Sequence, residues 1–285
     1  MTLPAFHYRR PTTLEEAFDA ARTEAGSRWL AGGMSLLPLM KMQLAAPDTL
    51  VDLAGVEDLT GMREDEGHLT VGAMTSHHQM ALDARVARWA PLAAEAARVI
   101  GDPQVRWRGT IGGSLAHADP AADMPAAVLA SEAELEAASP RGRRRIAADR
   151  FFLGPLTTAL EPDEMLTAVH FPKDTAGWRH RYVKHAHPAS GYAVVGVALL
   201  LAMDGGRVEH ARIAVTGMAG HAFRARSAES ILTGQRLTDA IIQEAAHSVV
   251  DGEEPVGDVY ASAPFRAHLA QVMTGRALAE WEAPG

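Results

Sequence analysis

Leu30-Ala31-Gly32-Gly33-Met34-Ser35-Leu36 and, further along the chain, Thr110-Ile111-Gly112-Gly113-Ser114 decide how this protein is read. Each has the form of a short strand running into a glycine pair and then a hydroxyl residue. With no Cβ in the way, backbone N–H groups and a side-chain O–H can converge there on a phosphate. One such run is an ordinary strand-to-turn signal. Two in one chain suggest a clamp on a diphosphate, and so a dinucleotide ligand.

Composition bounds the alternatives. At 285 residues the chain has room for two or more compact units. A hydrophobic content of 47% with 22% charged residues describes a soluble globular protein. The net charge of −8 argues against nucleic acid as the partner, because phosphate backbones call for a surplus of Lys and Arg. There is no cysteine, which removes disulfides, thiolate zinc sites, cysteine nucleophiles and iron–sulfur ligation within this chain. The opening Met1-Thr2-Leu3-Pro4 has no apolar core of a signal peptide, and the longest apolar stretch, Tyr192 to Met203, is too short to span a membrane. A cytoplasmic protein is expected.

Working outward from the first run, Thr13-Leu14-Glu15-Glu16 is a capping-box pattern opening a helix through Ala25, and Ser27 to Ala31 is the strand that delivers the glycines. Pro38 is tolerated only in a first turn, so the next helix starts near Leu36. Thr49 to Leu53 is a strand, and Asp52 falls where a Rossmann ribose-binding acid would stand. The G-x-G-x-x-G spacing is missing, so the Rossmann reading is set aside and Asp52 is read as a turn former.

Around the second run, Pro91 to Ile100 reads as an alanine-rich helix, and Leu115 to Pro125 as a loop whose prolines preclude a regular helix. His117, Asp119 and Asp123 in that loop match no common metal spacing, and the carboxylates are read as ribose or flavin hydrogen-bond acceptors. Val128 to Ala138 and Arg145 to Ala148 read as paired strands about the basic turn Ser139 to Arg144, a solvated hairpin tip or a docking point for an acidic partner. Lys173 to Trp178 reads as a linker. Beyond it, a hairpin of Tyr192 to Met203 and Arg207 to Thr216 is followed by helices at Ala225 to Leu232, Thr238 to Asp251 and Pro264 to Trp281, a small α+β unit.

The strings AGGMSLLPLMK (31–41) and GDPQVRWRGTIGGSLAHADPAAD (101–123) resemble the FAD-binding medium subunit of molybdenum hydroxylases, the xanthine dehydrogenase and carbon monoxide dehydrogenase family. FHYRRPTTLEEAF, EPDEML, RYVKHAH and SAPFRAHLAQVMTGRAL extend the resemblance over nearly the whole chain. It implies an α+β protein: a PCMH-type, vanillyl-alcohol-oxidase-like FAD-binding domain over 1–174, with subdomains about 1–55 and 56–174, and a CO-dehydrogenase-flavoprotein-like C-terminal domain over 178–285. By position, Trp29, Leu30, Ala31, Gly32, Gly33, Met34, Ser35 and Leu36, with Thr110, Ile111, Gly112, Gly113 and Ser114, would hold the FAD pyrophosphate and adjoining atoms. Asp123, Ile100, Leu166 and Lys184 match further FAD-contact positions. Met34 departs from the polar residue often found between the second glycine and the serine, which removes one polar contact and leaves the backbone clamp.

The resemblance further implies partners: a large molybdopterin subunit and a small [2Fe–2S] subunit, assembled as a dimer of heterotrimers. The role implied is passage of electrons through FAD to an external acceptor, with the organic substrate handled elsewhere. Two other readings stand beside it, an assembly scaffold that has lost its cofactor and a free-standing PCMH-type oxidase. The second is weakened because neither glycine run carries a His or Cys to tether a flavin.

Overall fold

A computed structural model describes residues 2–24 and 26–281. The chain begins with β1 (His7–Arg9), α1 (Leu14–Thr23), β2 (Ser27–Leu30), α2 (Leu36–Lys41) and β3 (Thr49–Asp52), which form a small parallel sheet of order β1-β3-β2. Thr13 Oγ1 accepts the Glu16 N–H as expected of an N-cap. The Glu16 carboxylate, however, reaches back to the N–H and hydroxyl of Thr12 instead of closing the box on Thr13. The expected helix end at Ala25 lies outside the described residues.

A second unit follows: β4 (Met62–Glu64), β5 (His68–Gly72), α3 (His77–Leu82), α4 (Ala84–Trp89), α5 (Pro91–Val99), α6 (Pro103–Arg108), α7 (Ile111–His117), α8 (Asp123–Ala130), β6 (Glu134–Ser139), β7 (Gly142–Ala147), β8 (Phe152–Gly154), β9 (Thr157–Thr158) and β10 (Met165–Pro172). Its antiparallel sheet has the order β4-β5-β10-β6-β7, so the last long strand enters the middle. That position explains why β10 is buried from Met165 to Phe171, the polar Thr167 and His170 included.

The third unit comprises β11 (Arg179–Ala186), β12 (Ala193–Asp204), β13 (Arg207–Thr216), β14 (Phe223–Arg224), α9 (Arg226–Leu232), α10 (Asp239–His247) and α11 (Ala263–Ala279), with strands paired in chain order. Its core packs Val195, Val197, Leu199 and Ile213 against Leu232, Ile242, Ala270 and Leu278. No described helix is long and apolar enough to cross a membrane.

Three sequence expectations are corrected. The second glycine run is not a short strand and turn: Thr110 is the N-cap of α7, which begins at Ile111, and the preceding Pro103–Arg108 is helical as well. Leu115 to Pro125 is not all loop: Leu115 to His117 belongs to α7, and the segment from Asp123 is α8, with Pro125 in the first turn where its missing N–H costs nothing. Val128 to Ala130 therefore closes a helix, and the paired strand starts only at Glu134.

Every residue of α8 is buried. It lies between α5 on one side and β12 and β13 on the other, which accounts for a helix that is apolar all round except at Asp123. The C-terminal unit thus packs on α8 and, through β11, on α5, and the first residue of α8 is a carboxylate.

Candidate functional site

In the first run β2 ends at Leu30, Gly33 turns the chain at φ +76°, and α2 starts at Leu36. Among the described residues, the backbone N–H groups of Gly32, Gly33, Met34, Ser35 and Leu36 find no protein acceptor. Ser35, the residue before α2, makes no side-chain cap. Partly buried donors without acceptors are costly unless water or a ligand takes them. Successive free N–H groups around a left-handed glycine form a concave anion cradle.

The second run builds the other wall. A Cβ on Gly32 would lie 2.1 Å from the Arg108 carbonyl oxygen and 2.8 Å from Gly109 Cα, and one on Gly113 would lie 3.3 Å from Ala31 Cβ. The two runs are therefore in direct contact, and the glycines permit it. Their amides behave differently, contrary to expectation. Gly112 donates to the Ala73 carbonyl at 2.8 Å and Gly113 to Thr110 Oγ1 at 3.1 Å, so this run is already satisfied by the fold. What it offers outward is the Ser114 side chain, which has no protein partner among the described residues.

Asp123 is not an exposed loop carboxylate. It is 4% exposed, and its Oδ1 accepts from Tyr182 Oη at 2.6 Å while its Oδ2 accepts from Lys184 Nζ at 2.7 Å. Burial pushes the Asp123 carboxyl above its ordinary range, with the Lys184 ammonium and the Tyr182 hydroxyl pulling against it. Burial, with the neighbouring Asp123 charge, also holds the Tyr182 phenol far above its ordinary value.

Lys184 donates a second bond to the Val99 carbonyl at 3.0 Å, beside Ile100 at the end of α5. The fold thus gathers Ile100, Asp123 and Lys184. Leu166 is placed differently: it is 5% exposed in β10, in the same apolar cluster as Ile111 and Leu115 beneath α7.

The C-terminal unit also grips the loop before α8. Thr216 Oγ1 donates to the carbonyls of Pro120 and Ala122 at 2.8 and 2.7 Å, Gly217 N–H donates to Pro120 and Ala193 N–H to Ala121. Tyr192, just ahead of β12, stands beside Ser35. Burial and the charges of Asp119 and Asp123 raise its phenol pKa, and the Ser35 hydroxyl opposes them. Tyr182 and Tyr192 were missed in the sequence because nothing local marks them; only the packing of the C-terminal unit brings Tyr182 to Asp123 and Tyr192 to Ser35.

Other candidates resolve structurally. Asp119 Oδ1 accepts from the Ala121 N–H in a local turn, and among the described residues no three His, Asp or Glu side chains converge to hold a metal. Asp52 accepts from the Ala54 N–H at 2.9 Å and from the Tyr8 hydroxyl, the turn-forming role expected of it. The basic turn does not present free arginines: Arg141 pairs with Asp163, Arg143 with Glu136, Arg144 with Glu164 and Arg145 with Glu134.

A glycine-lined cradle of free N–H donors, a hydroxyl on the facing wall and a buried carboxylate–ammonium pair fit a dinucleotide with a diphosphate at its centre. The fold and site define a flavin-binding α+β protein. Residues 4–174 match the family described as the FAD binding domain in molybdopterin dehydrogenase, and residues 180–281 match the CO dehydrogenase flavoprotein C-terminal domain. The chain belongs to this family of FAD-binding medium subunits of molybdenum hydroxylases.

It is 38% identical over 280 residues to the nicotine 6-hydroxylase medium subunit of Paenarthrobacter nicotinovorans, covering 98% of each chain. It is 38% identical over 284 residues to the carbon monoxide dehydrogenase medium chain of Hydrogenophaga pseudoflava, covering 99% of each. A solved structure of the latter organism's carbon monoxide dehydrogenase superposes with a TM-score of 0.94, covering 99% of this chain and all of the other.

Proposed function

We propose that this chain is the electron-transferring member of a heterotrimeric molybdenum hydroxylase. It would receive electrons from [2Fe–2S] clusters of a small partner, while a large molybdopterin-carrying partner acts on the organic substrate. When bound, FAD supplies the junction chemistry, accepting electrons singly and releasing them in pairs. The observation that carries the reading is the run of unpartnered N–H groups from Gly32 to Leu36 facing the second glycine run.

On this reading the chain's own residues have distinct tasks. The amides of Gly32, Gly33, Met34, Ser35 and Leu36 would hold the pyrophosphate, with the Ser35 and Ser114 side chains completing its donors. Trp29, Leu30 and Ala31 deliver the cradle, and Thr110, Ile111, Gly112 and Gly113 fix its facing wall. Asp123 and Lys184, with Ile100 beside them, would line the remainder of the cofactor, and Leu166 would support it from the core. Tyr192, brought by the C-terminal unit, stands against Ser35 at the edge of the cradle.

Substrate choice belongs to another chain. Relatives of equal identity carry names as unlike as nicotine hydroxylase and carbon monoxide dehydrogenase, and among the described residues no three His, Asp or Glu side chains converge to hold a metal. A dimer of heterotrimers in the cytoplasm is the assembly expected.

The test is expression of the chain alone and then with its molybdenum and iron–sulfur partners. The isolated chain is expected to bind FAD stoichiometrically and to hydroxylate nothing; hydroxylation appears only on reconstitution. Substrate hydroxylation by the single polypeptide, or a folded chain that takes up no flavin, would overturn the proposal, the latter in favour of an assembly scaffold.

A further inference from the structure

We infer that Tyr182 is a positioning residue of the cofactor site, its phenol orienting the Asp123 carboxylate and keeping it anionic toward bound FAD. The inference rests on the reading above that Asp123 lines the flavin site, and assigns a role to a residue outside both glycine runs and outside the FAD-binding unit itself.

Tyr182 and Lys184 stand at alternate positions of β11, so their side chains leave the strand on one face. Each serves a different oxygen of Asp123: Tyr182 Oη lies 2.6 Å from Oδ1 and Lys184 Nζ 2.7 Å from Oδ2. A carboxylate oxygen accepts two hydrogen bonds, so this arrangement fixes the carboxylate plane and leaves acceptor capacity on each oxygen.

The phenol is lodged with care. Tyr182 is 7% exposed, and its backbone N–H is held by Glu95 Oε2 at 2.6 Å. Across the hairpin, a Cβ on Gly196 would lie 2.4 Å from Tyr182 Oη and 2.9 Å from Thr216 Cγ2, so the absence of a side chain at Gly196 is what admits the hydroxyl. If the ring were needed only for packing, phenylalanine would fill the space without a buried hydroxyl to satisfy. Here the hydroxyl has one partner, and it is the site carboxylate.

Burial alone would drive Asp123 toward its neutral acid, and that tendency is the reason donors matter. The titratable and charged groups around it are Lys184 and Tyr182 from β11, Tyr192 from the segment ahead of β12, Asp119 acting on Tyr192, and Glu95 from α5 at the Tyr182 backbone. β13 contributes the uncharged Thr216 hydroxyl, bonded to the loop that precedes α8. Arg224 from β14 lies at the far end of α8, on the Leu129 carbonyl. Tyr182 donates to the carboxylate without carrying a charge, so replacing it by phenylalanine withdraws a donor while leaving every charged side chain in place.

The test compares the full chain with Tyr182→Phe, Asp123→Asn and the double variant, titrating FAD by fluorescence quenching as a function of pH, with melting curves to verify folding. Tyr182→Phe is expected to bind FAD roughly tenfold more weakly at mildly acidic pH, with the acid limb of the affinity profile moved up by about one to two pH units. Asp123→Asn should remove that limb, and Tyr182→Phe should add nothing on top of it. Replacement of Tyr182 by 3,5-difluorotyrosine, which keeps the shape and strengthens the donor, should move the limb down.

A folded Tyr182→Phe with an unmoved limb, or the same loss in both backgrounds, overturns the inference while leaving the chain a flavoprotein. An unaltered profile in Asp123→Asn overturns it by removing Asp123 from the site. A wild-type chain that binds no FAD overturns the functional proposal and this inference with it.

Discussion

Gly32→Ala is the smallest change that strikes the contact between the two glycine runs. Gly32 is not in a left-handed conformation, so alanine meets no backbone penalty and the whole effect comes from the added methyl. That methyl would lie 2.1 Å from the Arg108 carbonyl oxygen, 2.7 Å from its carbon and 2.8 Å from Gly109 Cα, all backbone atoms that cannot rotate away. The facing segment must therefore retreat by about 1 Å, at an overpacking cost of about 1–3 kcal/mol in stability.

The larger effect falls on ligand binding, because the displaced methyl-bearing residue begins the row of free N–H donors. Hydrogen bonds to charged groups are worth about 1.5–3 kcal/mol each, so misaligning two of them costs about 3–6 kcal/mol, or roughly 10²- to 10⁴-fold in FAD affinity. Flavin absorbance of the purified protein and a quenching titration measure it, with thermal melting to separate folding from binding. Gly154→Ala is the matched control, since nothing lies within 4 Å of a Cβ there. A folded Gly32→Ala with wild-type FAD affinity would show that the two runs do not form the clamp.

Asp123→Ala removes one half of a buried pair and leaves Lys184 uncompensated, so about 3–5 kcal/mol of stability should be lost in urea unfolding; a loss under about 1 kcal/mol would contradict the burial described. His77 is buried with its Nδ1 unpartnered, and burial lowers its pKa from 6.5 to about 4. A depressed folded-state pKa means that its contribution is complete above 6.5 and is lost as pH falls toward 4. His77→Leu should therefore abolish up to about 3 kcal/mol of acid destabilisation in that window, and an unchanged pH slope would refute it. Gln43 is exposed at φ +60°, so Gln43→Gly should stabilise the chain by up to about 1 kcal/mol, read as a higher denaturation midpoint.

Much of the fold is local enough to be read from residues. The N-cap at Thr13, the start of α2 ahead of Pro38, the strand at Thr49 and the hairpin about Asp204-Gly205-Gly206 follow from capping, proline geometry and turn chemistry, and the structure bears them out. The failures are equally physical. Met124 to Ala130 is apolar on every side, so neither the helical nor the strand period is visible, and only its enclosure between α5 and the C-terminal sheet settles it as a helix. The glycine pair after Thr110 has the look of a turn, yet Thr110 capping Gly113 makes it the first turn of α7.

For the site, the order of residues is enough to show that two glycine runs exist, that no cysteine can ligate a cluster in this chain, and which family the motifs resemble. It could not say which run keeps its amides free. That depends on whether another segment supplies acceptors, and Ala73 does so for Gly112 while nothing among the described residues does so for Gly32 to Leu36. Nor could it say that Asp123 is buried, or that Tyr182 and Lys184 hold it, because those bonds join residues about sixty positions apart. Local propensity acts over a few residues and is written in the chain. The pairing of a carboxylate with donors from another domain exists only once β11 has docked on α5 and α8, and tertiary structure alone decides it.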